Sequence, residues 1–247
     1  MDKMATVIPF YNEADCIPSL IKELDEFIDL IDATVTVFAI NDGSKDNSYE
    51  LLEEFSNSRT WLKVINQPNG GHGNAVLNGY RHALIQNNDW IFQIDSDQQI
   101  PVKELIPLWQ KRTPANAILG IRRNRQDPKE RLVVSKFLKI VINYFFRVTI
   151  EDANCPFRLI PADKLQHCLK FIPQTTFAPN IFISIILTSV FKVEQSYVSH
   201  AERQGGTNSI NRLNLFKICK RCFFELYQFW KTRNSWKQSQ SIPQSSL

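Results

Sequence analysis

The stretch QIDSDQQIP, residues 93–101, sets Asp95 and Asp97 one residue apart directly after the apolar run WIFQI. Successive strand residues point to opposite faces, but a turn at the strand's end can bring both carboxylates around one point. Two carboxylates with a serine and two amides make a set of hard oxygen donors, which suits a divalent cation and, through it, a phosphate-bearing substrate. Aspartate and serine are also ordinary turn residues, so the chemistry depends on what the rest of the chain brings to the same place.

Alternating strand and helix patterns position this turn. Residues 5–10 (ATVIPF), 34–40 (TVTVFAI), 60–65 (TWLKVI), 90–94 (WIFQI) and 116–121 (NAILGI) read as short buried strands. Between them, residues 12–31 have helical spacing through Ile17, Leu20, Leu24, Phe27 and Ile31. Residues 49–56 and 75–86 and a stretch around 102–111 also read as helices, the second of them opened by the Gly-rich loop NQPNGGHGNA. Five β-α repeats in about 120 residues predict an α/β fold with a mostly parallel, Rossmann-like sheet flanked by helices. In such sheets ligands bind beyond the carboxyl ends of the strands. The segments PFYNE, NDGS, NGGHG, DSDQQ and GIRRNR each follow a strand and therefore share one rim.

Composition is that of an ordinary globular chain, with 43% hydrophobic and 22% charged residues over 247 positions. The first residues lack a signal-peptide core, and no run of 18 uncharged apolar residues occurs, which predicts a chain that is neither secreted nor membrane-spanning. Five cysteines, an odd number without a signal, point to reduced thiols in a cytoplasmic compartment. Cys219 and Cys222 lack a second ligand pair and read as packing residues. The net charge of +4 is uneven: residues 210–247 sum to +6 and residues 1–209 to −2. Residues 120–147 add eight basic against two acidic residues, so both stretches point to phosphate groups or an anionic surface.

Three apolar stretches have a lipid-facing character. RLVVSKFLKIVINYFFRV and APNIFISIILTSVF read as core helices. The segment from residue 210 carries Phe216, Cys219, Phe223, Leu226 and Trp230 on one stripe between basic residues, as a helix at a membrane interface does. The expected organisation is a catalytic domain over 1–209, a basic amphipathic C-terminal helix over 210–237 and a tail over 238–247.

VIPFYNEA, NDGSKDNS, GGHGNAVLNGY, IDSDQQIP, CPFRLI and HAERQGGTNSI occur in the order found in family 2 nucleotide-sugar glycosyltransferases. Over about residues 4–210 the chain most resembles the dolichyl- or polyprenyl-phosphate sugar synthases, mannose synthases among them. The resemblance implies an A-type glycosyltransferase fold. It also implies transfer of one sugar, with inversion, from a nucleotide diphosphate donor to a polyprenyl phosphate, with Mg2+ or Mn2+ as cofactor. Pro9, Tyr11 and Glu13 match positions around the nucleotide base and ribose. Ile40 and Asp42 match the hydrophobic residue and second aspartate of an Asp-Asp-Gly-Ser element. Asp95, Ser96, Asp97 and Gln99 match the metal-diphosphate site, with Asp95, Asp97 and Gln99 as metal ligands, and Arg122 and Arg203 match arginines that meet phosphate groups. The first aspartate of the Asp-Asp-Gly-Ser element is Asn41 here, and Thr207, Asn208 and Ser209 stand where a downstream lysine is common. A glycine common before Phe157-Arg158 is Pro156.

The acceptor sets the remaining chemistry. A polyprenyl phosphate is already an anion and needs only cations to position it, a role for Arg122, Arg125 and Arg203, with Asp97 and Arg203 as the catalytic groups. A glycan or other hydroxyl acceptor would need a base, and Asp152 of EDANCPFR is the candidate. A non-catalytic nucleotide-sugar-binding subunit is the alternative of another class. Nucleic acid is not an expected partner, since stacking and groove-reading motifs are absent. Expected partners are the donor, the lipid phosphate, an anionic membrane surface and a membrane-embedded subunit.

Overall fold

A computed structural model gives residues 1–125, 127, 129–176, 178–202 and 212–238, without the side chains of residues 129, 131, 212–219, 237 and 238. Strands β1 (Lys3–Phe10) and β2 (Thr34–Asn41) pair in parallel, with Ala5 opposite Thr36 and Phe10 opposite Asn41. β3 (Leu62–Asn66) adds to β2, and β4 (Trp90–Gln93) adds to the other side of β1, both parallel. Helices α1 (Ile17–Leu30), α2 (Ser48–Ser56) and α3 (His72–Ile85) make the connections. The strands read as unbroken apolar runs because both faces are covered. On β1, Ala5 and Val7 enter one core layer and Met4, Ile8 and Phe10 the other. Helix α3 presses so closely that a Cβ on Gly79 would stand 2.3 Å from Val7 Cγ1.

A turn and α4 (Leu105–Gln110) lead to β5 (Asn116–Arg122). Beyond α5 (Lys129–Phe146), β6 (Arg158–Pro161) enters between β4 and β5, antiparallel to both, with Gln93 opposite Arg158 and Ile118 opposite Leu159. After α6 (Ala162–Leu169) and α7 (Pro179–Val190), β7 (Lys192–Val198) pairs in parallel with β5. The strand order among the described residues is β3-β2-β1-β4-β6-β5-β7. The five expected strands are present, and β6 and β7 extend the sheet beyond them. Because β6 is antiparallel to both neighbours, β5 still runs with β4, and their carboxyl ends share one rim.

α7 is buried from Pro179 to Leu187, as its composition predicts. The expectation that α5 is likewise a core helix holds for one side only. Leu138, Ile142 and Phe146 face the core, while Val133, Phe137, Ile140 and Tyr144 face outward. The last helices, α8 (Arg212–Lys231) and α9 (Arg233–Gln238), lie on the same core layer. Phe229 meets Phe182 of α7 at 4.8 Å, Phe146 of α5 at 5.9 Å and Trp236 of α9 at 5.6 Å between ring centroids. Leu226, Phe229 and Trp236 are buried, each contributing on the order of 1.5–3 kcal/mol or more. Leu226 is thus turned to the core rather than to a membrane interface, because α7 offers an apolar wall beside it. The side chains of Phe216 and Cys219 of the expected stripe, and residues 239–247 of the expected tail, lie outside what the structure describes.

Candidate active site

The rim is built by loops that tie one another down. After β1, Asn12 takes a positive φ of 55°. Its backbone N–H donates to Ser44 Oγ (3.0 Å) and its Oδ1 accepts from the Lys45 N–H (2.8 Å). The Glu13 N–H donates to Ser48 Oγ at 2.9 Å. These bonds hold the 11–14 turn against the 42–48 turn. Pro9 and Glu13 are buried there, while Tyr11 is 40% exposed.

Asp42 is buried and serves the Gly-rich loop. Oδ1 accepts from Gln67 Nε2 (2.6 Å) and the Gly70 N–H (2.9 Å), and Oδ2 accepts from the Gly71 N–H (2.8 Å). Gly71, with φ 85°, then opens α3. Ile40 is fully buried under α3. Asn41, in place of an aspartate, donates from Nδ2 to Asn66 Oδ1 (2.8 Å) and accepts from Ser44 Oγ (2.5 Å). An open hollow of about 350 Å³ is lined by Asn41, Ser44, Tyr49, Asn66 and Gln67.

The aspartates lie at the centre. A small cleft is lined by Ile94, Asp95, Asp97, Gln99, Arg122 and His200. Gln98 has φ 53°, and the tight turn lets the Gln99 N–H donate to Asp97 Oδ1 at 3.2 Å. Gln99 is clipped to the segment after β7, since its carbonyl accepts from the Ala201 N–H (2.8 Å) and its Nε2 donates to the Ala201 carbonyl (3.2 Å). Ser96 is buried in the same turn.

Asp95 is held from behind by residues that the sequence reading missed. Tyr80 Oη donates to Gln93 Oε1 and Gln93 Nε2 donates to Asp95 Oδ1, each at 3.2 Å. In front, His72 Nε2 stands 3.7 Å from Asp95 Oδ1. Gln93 is the polar residue inside an otherwise apolar strand, which is the signal that could have found it.

Arg122, at the end of β5, meets Asp152 in a two-pronged ion pair, Nε to Oδ2 at 2.7 Å and Nη2 to Oδ1 at 2.9 Å. Arg125 approaches the same carboxylate at 4.0 Å and pairs with Asp127 at 2.8 Å. Burial works to raise the Asp152 pKa, but the Arg122 hydrogen bonds and charge, with Arg125, hold it below the usual carboxylate value. Burial and the Arg122 charge press the His200 pKa below its ordinary value. Arg158 is fully buried as a cross-link, donating to the carbonyls of Cys155 (2.6 Å) and Asn180 (3.0 Å). Arg203, Thr207, Asn208 and Ser209 lie outside the described residues.

Asp95, Asp97 and Gln99 bring hard oxygen donors to one cleft, the donor chemistry that a small divalent cation takes. Among the described residues no group of three or more His, Cys, Asp and Glu stands close enough to cage a metal alone.

The comparisons agree with this architecture. The crystal structure of glucosyl-3-phosphoglycerate synthase from Mycobacterium tuberculosis superimposes with a TM-score of 0.67 at 14% identity, covering 93% of this chain and 80% of that one. A crystal of the same enzyme with Mn2+, UDP-glucose and phosphoglyceric acid gives a TM-score of 0.68 at 14% identity. Mannosyl-3-phosphoglycerate synthase from Rubrobacter xylanophilus gives 0.63 at 12% identity, over 99% and 77%. These likenesses establish the A-type glycosyltransferase fold. In sequence, the chain is 27% identical over 221 residues to undecaprenyl-phosphate 4-deoxy-4-formamido-L-arabinose transferase of Proteus mirabilis (strain HI4320). That match takes in 88% of this chain and spans 66% of the relative's length. The family description Glycosyl transferase family 2 matches residues 6–169, from the first strand to the end of α6, and by this match over more than half its length the chain belongs to that family.

Proposed function

We propose that this glycosyltransferase moves one sugar, with inversion, from a nucleotide diphosphate donor to the phosphate of a polyprenyl lipid at a membrane surface. The observation that carries the choice of acceptor is Asp152. Its carboxylate is buried, doubly bonded to Arg122 and held at a low pKa, so it is a weak base. A lipid phosphate needs no base, because it is anionic before it attacks. Similarity to the Proteus mirabilis protein, whose name specifies undecaprenyl phosphate, points the same way.

On the donor side, Tyr11 would stack on the base, with Pro9 and Glu13 beside it. Ile40 and Asp42 act through the loop that they support. Asp95, Asp97 and Gln99 would hold Mg2+ or Mn2+, which when bound neutralises the charge that builds on the departing diphosphate. A phosphate oxygen of the acceptor forms a bond to the anomeric carbon as the carbon's bond to the donor phosphate breaks, and no proton changes hands. Arg203 would orient phosphate oxygens by planar, two-pronged hydrogen bonds, while Arg122, whose Nε and Nη2 are held by Asp152, would add positive charge beside them. Among the described residues no helix is long and apolar enough to cross a membrane. The basic residues of 120–147 and 210–247 favour attachment of the chain, on the cytoplasmic side, to an anionic surface or to a membrane-embedded subunit.

Mass spectrometry of products formed from a mixed pool of nucleotide sugars tests this reading. Polyprenyl phosphate and a glycan hydroxyl acceptor are offered together. A glycosylated lipid phosphate is expected, and exclusive glycosylation of the hydroxyl acceptor would overturn the assignment.

A further inference from the structure

α5 is apolar on two sides and covered on one. Its inner residues Leu138, Ile142 and Phe146 pack into the core. Outward, Val133, Phe137, Ile140 and Tyr144 recur at intervals of four, three and four residues, one above another on a single face. They are 65%, 55%, 65% and 77% exposed. A surface helix ordinarily turns polar residues to water, and a contiguous exposed apolar stripe marks a contact surface.

α8 widens the stripe. Phe223 lies 5.5 Å from Phe137 between ring centroids, and Trp230 Nε1 donates to the Phe145 carbonyl at 3.1 Å. Phe224 and Tyr227 are exposed beside them. Cations sit on the aromatic rings at one end, Lys231 Nζ 4.6 Å from the Tyr227 ring and Arg233 4.1 Å from the Trp230 ring. Residues 129–147 and 212–238 together carry twelve Lys and Arg against two Glu.

Charge selects the occupant. A second copy would bring the same large positive excess to the contact and be repelled, whereas an anionic leaflet complements it. Rings with polar edges and stacked cations around an apolar stripe match the layering of a bilayer interface. The segment carrying α5 leaves the sheet at Arg122, which lines the aspartate cleft, and returns at Asp152, and those two residues close it with their ion pair.

We propose that the outward face of α5, through Val133, Phe137, Ile140 and Tyr144, together with Phe224 and Tyr227 of α8, seats the enzyme on an anionic lipid leaflet. The inference deepens the lipid-acceptor reading, on which it rests for its purpose. It moves the contact expected on residues 210–237 alone to a surface led by α5.

Flotation of the full chain with phosphatidylcholine vesicles, with and without phosphatidylglycerol, tests it. The full chain is expected to float with the anionic vesicles and to be released by salt. Val133→Glu/Ile140→Glu places two charges on exposed positions and should lower vesicle partitioning by about tenfold or more. The charge-matched control Leu30→Glu/Ile85→Glu, on exposed positions of α1 and α3, should float like the parent. Transfer to a short, water-soluble polyprenyl phosphate should be equal in all three, which shows that they are folded. Absence of flotation on protein-free vesicles would overturn the proposal in favour of an embedded subunit. Equal flotation of the Val133→Glu/Ile140→Glu variant, salt-insensitive flotation on neutral vesicles, or a dimer that this variant dissolves would also overturn it. Flotation as expected with no transfer to any polyprenyl phosphate would leave the docking surface standing and remove the lipid-acceptor reading instead.

Discussion

Arg122, which lines the aspartate cleft, and Asp152, thirty residues apart in sequence, join the two ends of the segment carrying α5 through paired hydrogen bonds of 2.7 and 2.9 Å. Both side chains are largely buried. Removal of one partner leaves the other charge in a poor solvent, a loss of about 3–5 kcal/mol for a buried pair.

Asp152→Asn separates the two roles that this carboxylate could have. With a phosphate acceptor the variant should unfold at a lower temperature yet keep kcat within about tenfold, since loss of a general base typically costs about 10²–10⁴-fold. Thermal unfolding and single-turnover rates on the same sample check it. A rate lower by three orders of magnitude in a folded variant would restore a hydroxyl acceptor.

Asp97→Asn removes one of the two carboxylates offered to the cation while keeping shape and hydrogen-bonding capacity. Turnover should fall by several orders of magnitude, because several kcal/mol of charge stabilisation on the leaving diphosphate is lost. Rates at saturating Mg2+ and Mn2+ are the measurement. Near-normal turnover in either metal would mean that Asp97 is not a ligand.

Gln93 is expected to act through Asp95. Gln93→Leu removes the amide that donates to Asp95 Oδ1 and leaves the Tyr80 hydroxyl without its acceptor. Loss of such a supporting hydrogen bond typically costs about 10–100-fold in metal affinity or activity. The metal concentration for half-maximal rate should rise, while the donor KM at saturating metal stays nearly constant. A change confined to thermal stability would give Gln93 a packing role only.

Acid should weaken the fold through His167, on α6 between Phe171 and Phe191 at 5.3 Å each. Partial burial, and then the Lys170 charge, lower its pKa in the folded state. In the unfolded chain the ring takes up a proton near pH 6.5. The unfolded state therefore binds more protons below that pH, and stability declines as pH falls from about 6.5 to the folded pKa. His167→Gln should flatten the decline in urea midpoint between about pH 7 and pH 5; an unchanged slope would assign it to other groups.

The parallel heart of the sheet, and the rim on which the candidate site lies, were legible in the sequence alone. Unbroken apolar runs such as TVTVFAI require a strand covered on both faces, and the polar segments that follow such strands must lie at their carboxyl ends. Asp95 and Asp97 were legible for that reason. Tertiary structure decided the rest. Four-residue β6 has too short a signal to show that it enters antiparallel between β4 and β5. Edge strand β7, KVEQSYV, mixes polar and apolar residues because it is only partly covered. Asp42 reads as a ligand-binding carboxylate, yet its oxygens are taken up by Gln67, Gly70 and Gly71 from a loop that sequence does not place beside it. The same holds for α5 and α8. Both are apolar around much of their circumference, and such a pattern does not say which side finds a neighbour. Only once α7 lies in place do Leu226 and Phe229 turn inward, while Val133, Phe137, Ile140 and Tyr144 remain uncovered.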